Sequence, residues 1–252
     1  MIDIHTHLLP GVDDGSPSIQ ASLPVLDRFG RDGVEVVVCT PHLLATDAMR
    51  APVEKYASIL ARLAARAPTK PELLQGWEIM LDAPGMDLRA PGLHLGGSDA
   101  ALVEFPRMNV PPGASHELLR IRMSGVIPVL AHPERYYGAT IEQVYEWRDV
   151  GAVIQLDAIM LFGTSSGCRL ARQMLEEGLV DCIASDNHGD ARSLVSARAW
   201  LNELGAPEQA RLLTHTNAQR LLAGDPLIPV APVPHAEPGV LGKLRQMLFG
   251  RK

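Results

Sequence analysis

Short runs of Val, Ile and Leu alternate with longer amphipathic stretches, and the alternation repeats to about residue 222 of the 252. That pattern limits the chain to few architectures. Strands are predicted over residues 1–5, 34–40, 73–80, 100–105, 128–131, 152–156 and 180–185. They are apolar on both faces, as strands of a parallel sheet covered by helices must be. Helical periodicity is predicted over 18–30, 52–67, 115–124, 141–149, 168–177, 193–204 and 207–222. Gly30, Gly125, Gly151, Gly178 and Gly205 stand at the ends of such stretches, where a left-handed stop is expected. The connection over 82–97 is rich in Gly and Pro and shows no helical pattern. Strands with mostly helical crossovers read as an α/β barrel or a doubly wound sheet.

With 46% hydrophobic and 21% charged residues, the chain can bury a core as one globular domain, and a disordered class is excluded. No apolar run approaches the ~20 residues of a bilayer span. The start, MIDIHTH, has neither the basic nor the apolar segment of a secretory signal, so a cytoplasmic location is expected. Three cysteines, Cys39, Cys168 and Cys182, make no disulfide framework and agree with a reducing compartment. A net charge of -6 argues against a nucleic-acid partner. The expected organisation is a catalytic domain over 1–224, a proline-rich linker over 225–239 and a short tail over 240–252. In the tail Leu241, Leu244, Met247 and Leu248 fall at helical spacing beside Lys243, Arg245, Arg251 and Lys252. Such a segment is either a short helix packed on its own domain or left frayed, or a basic amphipathic foot on a membrane surface or partner.

The placement of the histidines points to chemistry. Of nine, five (His5, His7, His42, His132 and His188) sit at or just past predicted strand ends, accompanied by Asp14, Glu78, Glu104 and Asp186. Carboxyl ends of strands are where α/β folds assemble their sites. His5 and His7, two apart on a strand, aim at one face, and Asp186 and His188 repeat that spacing. Asp14 can reach back from the turn after the first strand, whereas Asp13 is assigned to an Asx turn or helix cap. Pro41 is expected to stop the second strand and turn His42 out. Glu78 and Glu104 lie in apolar strands, where a carboxylate is costly unless paired or metal-bound. Nitrogen and oxygen donors without thiolate suit Mn, Fe or Zn. The candidates are too many for one ion, so two or three ions sharing a bridging carboxylate are expected. Such clusters suit phosphate-ester hydrolysis, with Arg135 and Arg192 clamping the remaining phosphate oxygens.

Asp3-Ile-His-Thr-His7, Leu9-Pro-Gly-Val-Asp-Asp-Gly15, Thr40-Pro-His42, Glu78, Glu104-Phe105, His132-Pro-Glu-Arg135 and Ser185-Asp-Asn-His188 together resemble the PHP (polymerase and histidinol phosphatase) superfamily. Within it the chain is similar to the bacterial manganese-dependent tyrosine phosphatases of capsule and exopolysaccharide operons, over residues 1 to about 222. The resemblance implies a distorted (β/α)7 TIM-like barrel with three metal ions, Mn2+ in that branch, at the carboxyl rim. His5, His7, Glu78 and Asp186 would hold the first. Glu78 would bridge to a second, completed by Glu104 and His132. Asp14, His42 and His188 would hold the third. Arg135 matches a phosphate-binding arginine and Arg192 falls near another; with Asp14 and His42 they are the candidate catalytic residues. The implied partner is a phosphotyrosine protein, typically a tyrosine autokinase at the membrane. Two departures bear on substrate preference: Ile79-Met80-Leu81 stands where an aromatic residue is common, and the loop after His42 lacks an Arg/Tyr-rich run.

Rival chemistries are weaker. Cysteine-based phosphatases need Arg six residues after Cys, and those positions hold Ala45, Met174 and His188. Amidohydrolases often bridge their ions with a modified lysine, yet Lys55, Lys70, Lys243 and Lys252 all lie off the predicted strand ends. The alternatives kept are a small-molecule phosphatase acting on a histidinol-phosphate-like ester and a non-catalytic metal-binding regulatory protein.

Overall fold

The structure is a computed structural model that describes residues 1–106 and 110–235. The predicted tail over 240–252 lies outside the described residues. Among the described residues nine short strands occur: β1 (Ile2–Thr6), β2 (Val36–Cys39), β3 (His42–Leu44), β4 (Glu72–Gln75), β5 (Glu78–Met80), β6 (Ala100–Glu104), β7 (Ile127–Ala131), β8 (Val153–Asp157) and β9 (Cys182–Ala184). All pairings are parallel, in the orders β1-β2-β4 and β3-β5-β6-β7-β8-β9.

The two sheets are one barrel. Val36 pairs with Glu72 and His42 pairs with Glu78, so β2/β3 and β4/β5 are two staves interrupted at the same level and in the same register. Single bonds carry the ladder across the gap, Gly76 N–H to Cys39 O at 2.9 Å and Glu78 N–H to Pro41 O at 3.1 Å. Pro41 offers no donor there, which breaks the strand as expected. It does not end it, however: the stave resumes at His42. The strand predicted over 73–80 is likewise two. A parallel bridge from Thr6 to Asn187 closes the ring, with Asp186 N–H bonded to His5 O at 3.0 Å.

Helices cover the outside: α1 (Ile19–Arg31), α2 (Val53–Ala64), α3 (Ala114–Met123), α4 (Ile141–Asp149), α5 (Ser166–Glu176), α6 (Leu194–Glu203), α7 (Pro207–Arg211) and α8 (Asn217–Ala223). Hydroxyls of Ser18, Thr140, Ser165 and Ser193 accept from first-turn N–H groups and fix where α1, α4, α5 and α6 begin. Gly30 is not the stop expected for α1, which runs on to Arg31. A Cβ on Gly30 would lie 2.5 Å from Lys70 O, so this glycine serves a close approach of helix and loop. The helix predicted over 207–222 carries a π-helical turn, Leu212–Thr216, between α7 and α8. Residues 225–235 form neither helix nor strand, yet lie on the barrel. The Asn217 side chain bonds both the N–H and C=O of Ile228, and Val230 and Val233 are buried. Among the described residues no helix is long and apolar enough to cross a membrane.

An apolar cluster drawn from Ile4, Val38, Leu102, Val129, Val153 and Cys182 fills the barrel and is plugged by Leu221 of α8. Along the strands the same inward alternation then turns polar: Leu102 is followed by Glu104, Val153 by Gln155 and Asp157. Only the carboxyl end of the barrel is therefore polar inside.

Candidate metal centre

All nine candidate ligands named from the sequence meet at that end. Their donor atoms fall into four overlapping groups, each within 4.8 Å: His5, His7 and Asp186; His5, Glu78 and His132; His42, Glu78 and Glu104; and His7, Asp14, His42 and His188. His5, His7, Glu78, Glu104, His132 and Asp186 are buried, while His42 and Asp14 reach the mouth.

Tightest is the set formed by His5 Nε2, His7 Nε2, Glu78 Oε2 and Asp186 Oδ1. Separations are 3.3 Å between the imidazoles, 3.4 and 3.3 Å from His5 to Glu78 and Asp186, and 3.2 and 3.3 Å from His7 to the same oxygens. Four tetrahedral ligands about 2.0–2.1 Å from a common ion lie roughly 3.3–3.4 Å apart. The spacing is that of a ligand shell.

The outer nitrogens explain how the rings are held. His5 Nδ1–H donates to Gln155 Oε1 at 3.0 Å, His7 Nδ1–H to Asp13 Oδ2 at 2.8 Å, and His188 Nδ1–H to Asp186 O at 2.9 Å. Each bond fixes the tautomer that leaves Nε2 as an acceptor toward the centre. Lone pairs of imidazole and carboxylate then face one another, and Glu78 Oε2 and Asp186 Oδ1 have no hydrogen-bond partner. A buried array of acceptors needs cations between them. The residues fit a metal.

Protons take the place of cations when none is bound. Burial disfavours charge on His5, but Glu78 and Asp186 outweigh it and push its pKa up to about 9. His7 is raised well above the usual value against the same burial, by Asp13, Asp186 and Glu78. Glu78 and Asp186 are pulled down despite burial, both chiefly by His5. His132 instead drops to about 4, because burial exceeds its bond to Glu78.

Glu78 joins the groups. Its Oε2 lies 3.0 Å from His42 Nδ1 and its Oε1 bonds His132 Nε2 at 2.8 Å. Glu104 stands 3.8 Å from His42 Nδ1 and 4.0 Å from His132 Nε2. Asp14 Oδ1 faces His42 Nε2 at 3.3 Å and His188 Nε2 at 3.5 Å. The strand pleat does not bring Asp186 and His188 together, since β9 ends at Ala184. A left-handed Asp186 (φ 47°) turns the chain, as His132 (φ 34°) does after β7. Among the described residues these two alone, apart from glycines, have positive φ. Such backbone costs of order 1–3 kcal/mol and is characteristic of functional sites.

Both arginines converge on Asp186. Its Oδ2 accepts from Arg135 Nη1 and, at 3.2 Å, from Arg192 Nη1. Arg135 Nη1 also reaches Asp157 Oδ2 at 3.4 Å, and Arg192 Nε donates to Asp190 at 2.8 Å. Among the described residues Nε and Nη2 of Arg135 make no hydrogen bond.

Sequence reasoning missed the supporting residues. Asp13 makes the expected Asx contact, accepting from Gly15 N–H at 3.0 Å, but its other oxygen orients His7. A Cβ on Gly15 would sit 2.2 Å from His7 O, so the loop lies directly on that ligand. Gln155 and Tyr136 were not foreseen at all. The Tyr136 hydroxyl accepts from Phe105 N–H and donates to Ala131 O, tying together the strand ends that carry Glu104 and His132. Orienting partners typically contribute 10–100-fold to metal affinity. Asp13→Ala should therefore weaken metal binding by about that factor, with turnover restored at higher metal concentration. Unchanged affinity in a metal titration would remove the orienting role.

Comparison with known proteins places this geometry. The family described as capsular polysaccharide synthesis, CpsB/CapC, matches residues 1–223. Tyrosine-protein phosphatase CpsB of Streptococcus agalactiae is 30% identical over 240 residues, covering 88% of this chain and 98% of that protein. A chain from the crystal structures of YwqE of Bacillus subtilis and CpsB of Streptococcus pneumoniae, metal-dependent tyrosine phosphatases, superposes with a TM-score of 0.77. It is 27% identical, and the match covers 93% of this chain and all of that one. The barrel alone is shared with 5-methylcytosine deaminase of Klebsiella pneumoniae, at a TM-score of 0.51 and 13% identity.

Proposed function

The chain belongs to the CpsB/CapC family of capsular polysaccharide synthesis, and from that premise we propose how its rim residues serve the reaction. It is a metal-dependent tyrosine-protein phosphatase, and its substrate is a phosphoprotein. The observation that carries the assignment of roles is the shell of His5, His7, Glu78 and Asp186, with donor atoms 3.2–3.4 Å apart.

In this reading His5, His7, Glu78 and Asp186 hold a first ion. Glu78, Glu104 and His132 hold a second. Asp14, His42 and His188 hold a third near the mouth. The ions are Mn2+, in keeping with an imidazole and carboxylate set from which Cys39, Cys168 and Cys182 are absent; Fe and Zn suit the same donors. Bound there, the metal supplies Lewis-acid polarisation of phosphoryl oxygens and activation of water. The protein's part is positional. Asp13 and Gln155 hold His7 and His5 with Nε2 inward, and Arg135 and Arg192, fastened to Asp186 Oδ2, present guanidinium N–H groups to the phosphate. The phosphoprotein is a tyrosine kinase at the membrane, met from the cytoplasm. The basic segment over 240–252 is then the foot that brings the barrel to it.

Hydrolysis of a phosphotyrosine peptide and of histidinol phosphate should be compared after chelation and after return of Mn2+. Loss on chelation and recovery with Mn2+, on the peptide and not on histidinol phosphate, is the expected result. The reverse preference would assign a small-molecule substrate.

Metal uptake should also release protons. His5 keeps its proton up to about pH 9 without metal and must lose it to become a ligand. Affinity therefore falls as pH is lowered from 9 toward 6. In the chelated protein the same raised value adds stability that is complete below the ordinary histidine pKa, near 6.5, and is lost on passing about 9. Calorimetric titration with Mn2+ in buffers of different ionisation enthalpy counts the protons. Zero release at pH 7 would contradict the assignment of His5.

A further inference from the structure

Beside the metal rim runs a cavity of about 650 Å³, lined by Arg135, Tyr137, Gly138, Met160, Ser166 and Leu170. Arg135 belongs both to this lining and to the reaction centre, where its guanidinium is bonded to Asp186. Tyr137 is 80% exposed, more than any other large hydrophobic side chain among the described residues. The folded domain thus leaves this ring, in the cavity lining, unburied. Tyrosines are over-represented among the residues that dominate protein contacts.

We propose that this groove seats the polypeptide flanking the phosphotyrosine, with Tyr137 and Met160 contacting an apolar neighbour of the phosphorylated residue. The proposal rests on the phosphatase reading above and locates where the chain of that phosphoprotein is held. The lining favours that occupant. Beside the polar Glu134, Arg135, Ser165 and Ser166 it presents the Tyr137 ring, the Met160 thioether and Leu170, on which an apolar side chain of a polypeptide can pack. Arg135 stands between groove and metal, so a segment bound in one has its phosphate delivered to the other.

The test uses the full chain loaded with Mn2+ and three substrates: free phosphotyrosine, a phosphotyrosine peptide with leucine on both sides, and the same peptide with glycine. The unmodified protein should favour the leucine peptide over the glycine peptide by about tenfold in kcat/KM. Tyr137→Ser should abolish most of that preference while turnover of free phosphotyrosine stays within about twofold. Tyr145→Ser is the control. Tyr145 is also exposed, but it lies at the opposite end of α5, where it bonds Glu177. Equal rates on the two peptides, or an equal loss on all three substrates in Tyr137→Ser, would overturn the proposal. No hydrolysis of any of the three substrates by the unmodified protein would instead overturn the phosphatase reading, and the groove assignment with it.

Discussion

Glu78→Ala should leave a folded barrel that has lost about two of its ions and nearly all turnover. One carboxylate here touches four imidazoles: His5 at 3.4 Å, His7 at 3.2 Å and His42 at 3.0 Å through Oε2, and His132 at 2.8 Å through Oε1. In the proposed arrangement it is the one ligand shared by the first and second ions. Truncation removes a negative charge from both sites at once and leaves His5 with Asp186 as its remaining close carboxylate. Loss of several kcal/mol of metal-derived transition-state stabilisation corresponds to roughly 10³-fold in rate or more. Folding should survive because the apolar filling of the barrel and the layer beneath the helices are built from other residues. Glu78→Gln keeps the shape and one acceptor without the charge, so it should fall between. Elemental analysis beside a phosphotyrosine assay reads both effects. A Glu78→Ala protein with full metal content would end the bridging assignment.

The candidate residues that converge at the rim were legible because each answers a local question. A histidine or carboxylate at the end of an apolar strand has no structural reason to be there, and β1, β6 and β7 deliver His5, Glu104 and His132 from such ends. What surrounds them was not legible. Gln155 meets His5 across 150 positions of chain, and nothing in a strand reading of Val-Ile-Gln-Leu-Asp distinguishes a polar residue that orients a ligand from one that caps a sheet. Asp13 was assigned to a turn, and it does make that turn contact. A carboxylate has two oxygens, and local pattern speaks for only one of them. The interruption of the second and third staves hid behind continuous apolar runs, since Pro41 signals a broken ladder but not its resumption at His42. The left-handed turn at Asp186 carries no sequence mark either, because aspartate tolerates that backbone only somewhat better than other side chains do.

Arg135→Ala should lower kcat/KM on a phosphotyrosine peptide about 10²-fold, the scale for removing one preorganised donor, with metal content unchanged. Asp186 divides the labour: Oδ1 faces His5 and His7, while Oδ2 accepts from Arg135 and Arg192. Two guanidinium groups on one oxygen hold each other's position as well as the substrate's, so their losses are coupled. Arg192→Ala should cost less, because Nε of Arg192 is committed to Asp190 and only part of its fork can turn to the phosphate. The double variant should lose less than the product of the single losses, as residues sharing a partner do. Inorganic phosphate should inhibit each single variant more weakly than it inhibits the unmodified protein, which separates lost capture from lost metal. Arg135→Lys restores charge without the planar fork and should recover only part of the loss. If Arg135→Ala shed metal as Glu78→Ala does, Oδ2 of Asp186 would belong to the metal shell and the arginines would be its supports rather than the substrate's clamp.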